Sequence, residues 1–268
     1  MSHTIRIGAL LSGSGTNLQA IIDSCNSGKI NGSVVFVGSD NVNAPGLDRG
    51  KKIGIPTFVV DYESIIRRYK DSPDELIIPN DFDLDDILSK QNFFPEGADM
   101  DRAKAFFITR AIAEAKVLDK MRPYPFDLLV LAGFMRNLTP YFIDRVNRDP
   151  DNPCIMNIHP SLLPAFPGVD GYGDTFRYGC KIGGCTVHFV DYGEDTGPII
   201  GQNAYEITEE DTLESIKAKG LNLEWELYSE CVRLFAQGRL RTVKMSYTLK
   251  GGQKILRTVV KVLPSQKE

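Results

Sequence analysis

From Phe126 to Ala132 the chain reads Phe-Asp-Leu-Leu-Val-Leu-Ala, and this run narrows the possible folds more than any other stretch. A strand with one face in water alternates apolar and polar residues. A run without alternation is buried on both faces, as a central parallel strand covered by helices would be. Ile5 to Leu11 is a second apolar run, which ends in Ser12-Gly-Ser-Gly-Thr-Asn17 and is followed by Leu18, Ile21 and Ile22 at helical spacing. Strand, Gly-rich loop and helix therefore open the chain. Ser33 to Ser39 reads as another strand, Asn43 to Arg49 opens a helix, and Ile53 to Val60 turns into a third strand. This repeated βα rhythm predicts an α/β fold with a doubly wound, mostly parallel sheet and helices on both faces. Thr242 to Val262 alternates around Gly251-Gly252, which predicts a C-terminal hairpin. Ligands of such a sheet bind beyond the carboxyl ends of its strands.

The rhythm breaks between about 62 and 101. Residues 61–101 hold twelve Asp or Glu against four Lys or Arg, with Pro73, Pro79, Pro95 and an apolar pair, Phe93-Phe94. Asp81, Asp83 and Asp85 alternate, but the glycine and distal glutamate of an EF-hand loop are missing, so a solvated acidic lid or interaction surface is expected and no metal. The whole of 1–268 is thus read as one domain carrying an acidic insertion at 62–101.

A net charge of −4 argues against a nucleic-acid partner. Cys25, Cys154, Cys180, Cys185 and Cys231 fit neither a zinc site nor a disulfide framework, and are read as reduced, mostly buried thiols. No secretory leader pattern opens the chain and no apolar run approaches the roughly 18 residues of a membrane span, so a cytoplasmic location is expected. Nothing in the pattern separates a monomer from a homodimer.

Two stretches carry chemistry. The loop at Gly13 and Gly15 lets backbone approach a ligand closely, and the unpaired amides of the following helix suit an anion. It is neither a dinucleotide fingerprint nor a Walker loop, so a tight turn and a phosphate cradle both remain open. In Ile155 to His159, strand geometry points Asn157 and His159 one way and Met156 and Ile158 the other. Pro160 and Pro164 then force an extended, stiff exit.

The string Asn157-Ile-His-Pro-Ser-Leu-Leu-Pro-Ala-Phe-Pro-Gly168 closely resembles the signature of the folate-dependent formyltransferase superfamily. Ser12 to Ala20 resembles the ribonucleotide-phosphate loop of the phosphoribosylglycinamide formyltransferases within it. The resemblance implies a Rossmann-like formyltransferase fold in which Gly15, Thr16 and Asn17 hold a substrate phosphate. It also implies that Phe134, Met135, Arg136, Asn137 and Leu138 line a folate pocket, joined by Asn157, Asp191 and Asp195. Arg110 matches the spacing of a folate-contacting arginine, with Arg102 as competitor. Asp195 matches a catalytic aspartate, and Glu224 a glutamate at the substrate's amine end, although Leu221 stands where a polar side chain is expected. Residues 168–184 depart from the pattern, and no catalytic role is assigned there. The co-substrate implied is 10-formyltetrahydrofolate and the acceptor glycinamide ribonucleotide, both small molecules.

Attack of an amine on a formyl carbon builds negative charge on oxygen and positive charge on nitrogen. Asn157 and a protonated His159 would serve the oxygen, and Asp195 would help relay the proton and raise the histidine pKa. His3 lies at the terminus and His188 in mid-strand, the latter structural or a support for Asp195. A formyltetrahydrofolate deformylase, a formyltransferase for another phosphorylated amine, and a catalytically silent folate- or nucleotide-binding module are the alternatives. The resemblance also implies a cis Leu163-Pro164 bond.

Overall fold

The computed structural model describes residues 4–149 and 151–265; His3 lies outside them. Seven strands form one sheet in the order β3-β2-β1-β4-β5-β6-β7. These are β1 (Ile5–Leu11), β2 (Gly32–Ser39), β3 (Thr57–Val59), β4 (Leu128–Leu131), β5 (Ile155–His159), β6 (Ile182–Phe189) and β7 (Ile199–Glu206). β1 to β5 pair in parallel, and β6 and β7 add antiparallel to the β5 side. The apolar run at 126–132 supplies β4, buried throughout and sitting between β1 and β5. β7 is the strand that sequence reading passed over. Its burial alternates along an edge, and Gly201, Gln202 and Asn203 dilute the strand pattern.

The sheet divides two cores. On one face α1 (Thr16–Asn26) and α8 (Leu213–Ala236) contribute Leu18, Ile21, Leu227 and Val232 to a cluster with Ile7, Met156 and Val187. On the other, α3 (Tyr62–Asp71), α5 (Met100–Met121) and α6 (Pro140–Val146) pack Tyr62, Ile112, Val117 and Phe142 against Leu10, Leu129 and Leu131. The alternation of strand side chains assigns each residue to its core. Tyr228 of α8 locks helix to sheet, donating its buried hydroxyl to the Met156 carbonyl at 2.7 Å, with the Leu131 carbonyl at 3.2 Å. β8 (Leu240–Thr248) and β9 (Lys254–Val262) form the expected hairpin as a separate two-stranded sheet. α2 (Leu47–Lys52) starts four residues later than the sequence suggests, because the chain first turns through Asn41 to Gly46.

The acids of the stretch are exposed, as expected of a solvated surface, but the stretch is tied to the body of the domain. Asp61 caps α3 through the Ser64 N–H at 2.9 Å, and Asp83 caps α4 (Leu84–Lys90) through the Asp86 N–H at 3.0 Å. Asp81 accepts from Tyr141 at 3.0 Å and pairs with Arg145 at 2.7 Å, and Lys90 bridges Asp86 and Asp144. Phe93 and Phe94 face Phe106 and Phe107 of α5, beside a small third core of Ile87, Ala103, Phe107, Ala111 and Tyr141. The acids cap and pair, while the aromatics anchor the stretch to α5 and α6.

Candidate active site

The strand order reverses between β1 and β4, and there the exits of β1, β4 and β5 open onto one cleft of about 480 Å³. Such a reversal parts the loops beyond neighbouring strand ends and leaves a crevice. The exit of β1 carries Gly15 at φ 67°, in the left-handed region, as the residue before α1. No side chain caps that helix, so its first amides face the cleft as a dipolar anion site. Ser12 ties this loop to the next one: its amide donates to the Gly133 carbonyl at 2.9 Å and its hydroxyl accepts from the Met135 amide at 2.8 Å.

The exit of β4 forms the opposite wall with Phe134 to Leu138. Asp40, buried at the end of β2, holds Arg136 at 2.5 Å, and Asn137 donates to Glu194 at 3.1 Å. Arg110 reaches the cleft from α5 and is almost fully buried, its guanidinium over the rings of Phe106 and Tyr62 and its Nε without a hydrogen-bond partner. Burial lowers its pKa, which leaves a desolvated cation facing a cleft. Arg102 lies outside this cleft, in a surface pocket with Phe93 and Phe106, so position favours Arg110 of the two.

Behind this wall Glu114 is completely buried and anchors the loop by accepting from the Thr139 amide at 2.8 Å and the Thr139 hydroxyl at 2.5 Å. Desolvation pushes its pKa up to about 7, against the pull of those bonds and of Arg110. A carboxyl raised from 4.5 to about 7 stabilises the fold below 4.5 and loses that contribution as pH rises through 7. Wild type is therefore expected to lose about 3 kcal/mol more than Glu114→Gln between about pH 4.5 and pH 8, read from urea midpoints. Parallel pH profiles of the two proteins would contradict this.

At the exit of β5 the expected pair is in place. Met156 and Ile158 are in the core, while Asn157 and His159 line the cleft. Asp195 comes from the loop after β6 and meets both. Its Oδ2 lies 3.2 Å from His159 Nδ1 and accepts from the Gly168 amide at 2.8 Å. Its Oδ1 lies 3.4 Å from Asn157 Nδ2 and 3.5 Å from His188 Nε2. Burial pushes the Asp195 pKa up, but hydrogen bonding from His188, the charge of His159 and the Gly168 amide outweigh it and hold the carboxyl below its ordinary range. Asp195 and Phe166 are the non-glycine residues with left-handed backbone, each at φ 54°, among the described residues. Both touch His159, since the Phe166 carbonyl accepts from Nε2 at 2.7 Å. Such conformations cost about 1–2 kcal/mol and cluster where a site is over-determined. The Leu163-Pro164 bond, between His159 and Phe166 in the chain, is cis.

One expectation is reversed. Burial lowers the His159 pKa below 6.5 and outweighs Asp195, which pulls the other way. The ring is 3% exposed, so desolvation of the cation is the larger effect. His188, expected to be structural or a support for Asp195, stands beside both Asn157 and Asp195. Its Nδ1 donates to the Phe189 carbonyl at 2.9 Å, and its Nε2 faces Asn157 Nδ2 at 3.2 Å and Asp195 Oδ1 at 3.5 Å.

At the far end of the cleft Glu224 of α8 is buried and accepts from Asn17 Nδ2 at 2.8 Å and from the Tyr172 hydroxyl. Asn17 is thus committed to Glu224 and leaves the anion site to the amides around Gly15 and Thr16. Tyr172, on α7 (Gly171–Arg177), sits in the segment to which sequence reading assigned nothing. Of all the site residues drawn from the sequence, Asp191 alone is absent from the cleft wall. Its carboxylate accepts from the Gly193 amide at 3.2 Å and the Thr196 hydroxyl at 2.6 Å and braces the loop that carries Asp195. Among the described residues no group of three His, Cys, Asp or Glu side chains is placed to share a metal ion.

Comparison with known proteins agrees with this geometry. The family described as formyl transferase matches residues 5–232. The chain is 33% identical over 236 residues to phosphoribosylglycinamide formyltransferase of Haemophilus influenzae, covering 88% of this chain and 89% of that one. It is 40% identical over 150 residues to the Bacillus subtilis enzyme of the same name, covering 52% and 74% of the two chains. The crystal structure of glycinamide ribonucleotide transformylase 1 from Symbiobacterium toebii superposes with a TM-score of 0.69 at 34% identity, covering 98% of this chain and 96% of that one. The strand-exit cleft, the site residues within it and these relatives together make the chain a member of the formyl transferase family, in its phosphoribosylglycinamide formyltransferase branch.

Proposed function

We propose that this chain transfers the formyl group of 10-formyltetrahydrofolate to the amine of glycinamide ribonucleotide by direct attack through a tetrahedral species. The observation that carries the reading is the joining of an anion-binding helix start, a buried carboxylate and the His159–Asp195–Asn157 cluster along one cleft. The amides beyond Gly15 receive the phosphate, and Glu224 receives the hydrogen-donating end of the acceptor. The opposite wall, from Phe134 to Leu138 with Arg110 at its edge, receives the folate, whose anionic end suits a desolvated guanidinium.

With its pKa held below 6.5 by burial and its Nε2 hydrogen given to the Phe166 carbonyl, His159 is neutral near pH 7, and its Nδ1, beside Asp195, takes the proton that the attacking amine sheds. Asp195, ionised at that pH, stabilises the imidazolium as it forms and orients the ring. The Asn157 hydrogen directed at Asp195 across 3.4 Å is the weakly held one, and turns to the oxygen where negative charge develops. His159 then returns its proton to the departing nitrogen. Among the described residues no cysteine or serine is paired with a histidine as a nucleophile, so no covalent enzyme intermediate is invoked.

We read the protein as cytoplasmic, with small molecules as its partners, in keeping with five unpaired cysteines, of which Cys185 and Cys231 are buried and the rest half-buried. No described helix is long and apolar enough to cross a membrane. Mixing 10-formyltetrahydrofolate with and without glycinamide ribonucleotide tests the reaction. Folate turnover is expected only with the acceptor, and formate release without it would overturn the reading in favour of a hydrolase.

A further inference from the structure

Glu224 stands at the acceptor end of the cleft with both oxygens engaged, Oε2 by Asn17 Nδ2 and Oε1 by the Tyr172 hydroxyl. A glutamate has three side-chain torsions, and a carboxylate tethered at each oxygen has lost that freedom before any ligand arrives. Asn17 and Tyr172 both line the cleft beside it, and Asn17 keeps a buried Oδ1 with no hydrogen-bond partner. Two neighbouring acceptors with their donors already spent suit a ligand group that brings hydrogens, such as an amine or a sugar hydroxyl. Leu221 lines the same wall and offers nothing polar, so the polarity at this end comes from outside α8.

Tyr172 reaches Glu224 only because α8 has a glycine one turn earlier. A Cβ on Gly220 would fall 2.3 Å from Tyr172 Cε1 and 2.4 Å from its hydroxyl oxygen. Any larger residue displaces the ring from the carboxylate. We infer that Tyr172, seated over Gly220, is a positioning residue that fixes Glu224 for the acceptor amine or hydroxyl groups and so sets acceptor affinity. This rests on the formyl-transfer reading.

The titratable groups facing Glu224 are Tyr172 from α7, Cys185 from β6 and Tyr205 from β7. Burial raises all three, Cys185 and Tyr205 to about 12, so each is neutral near pH 7. Burial also raises the Glu224 pKa above 4.5, while the bonds from Asn17 and Tyr172 restrain it. Loss of the tyrosine hydroxyl therefore moves the Glu224 titration further upward.

The test is steady-state kinetics on Tyr172→Phe, Gly220→Ala and the double variant beside wild type, with both substrates varied. Each single variant is expected to raise KM for glycinamide ribonucleotide about 10-fold and to leave KM for 10-formyltetrahydrofolate within about twofold. The double variant is expected to be no worse than either single one, because both remove the same contact. In Tyr172→Phe the acid limb of the acceptor kcat/KM profile is expected to move to higher pH, which a merely structural loss would not cause. Unchanged acceptor KM in both single variants, or an equal rise in both KM values, would overturn the role of Tyr172 while wild-type turnover keeps the formyl-transfer reading standing. Absence of acceptor-dependent turnover in wild type would remove both.

Discussion

Asp195→Asn is expected to lower kcat by about 10³-fold, on the order of 4 kcal/mol of transition-state stabilisation, with the fold intact. The carboxylate serves three groups at once. It faces His159 Nδ1 at 3.2 Å, accepts from the Gly168 amide at 2.8 Å and orients Asn157 at 3.4 Å. An amide of the same shape keeps an oxygen for Gly168 and loses the charge that balances an imidazolium forming in a desolvated site. The sign of the accompanying pH effect follows from the opposing influences on His159. Burial lowers its pKa and Asp195 raises it, so removing the charge moves the titration still further below 6.5. Imidazole NMR on wild type and variant reads this shift directly, and an upward shift or an unchanged kcat would contradict the role given to Asp195.

His159→Ala is expected to cost between about 10² and 10⁴ in kcat, with KM for either substrate changed little, because the proton relay proposed for it would be used only as the transition state forms. The ring is buried and its two nitrogens already meet the Phe166 carbonyl and Asp195, so the variant also loses packing. Circular dichroism and folate binding separate that loss from chemistry. Residues acting as a unit are not additive, so His159→Ala combined with Asp195→Asn is expected to be about as slow as His159→Ala alone. A further 10³-fold drop in the double variant would mean that the two act independently.

Much of this was legible in the chain. Largely apolar runs at 5–11 and 126–132, each with a single charged residue near its start, marked buried parallel strands, and the Asn157–His159 spacing placed two polar side chains on one face of β5. What escaped reading depends on tertiary proximity. The direction of the His159 shift follows from how deeply other segments bury the ring, whereas the sequence resemblance offers only its charged partner. Tyr172 matters because α7 crosses α8 over Gly220, a meeting between residues far apart in the chain. The acids of the 62–101 stretch are exposed as expected, but its aromatics pack on α5, an anchoring that depends on a partner helix beyond the stretch. Asp191 and Asp195 share one turn-rich loop, and the backbone at Asp195, at φ 54°, turns that residue toward His159 while Asp191 is spent on Gly193 and Thr196.

The most direct test of the central claim is to follow the transferred carbon itself. 10-Formyltetrahydrofolate labelled with ¹³C in the formyl group is mixed with glycinamide ribonucleotide and wild-type protein, and the label is traced by NMR. Direct transfer predicts that the label leaves the folate only when acceptor is present and arrives in an amide on the acceptor, one for one. Label appearing in free formate, or leaving the folate at the same rate without acceptor, would contradict it.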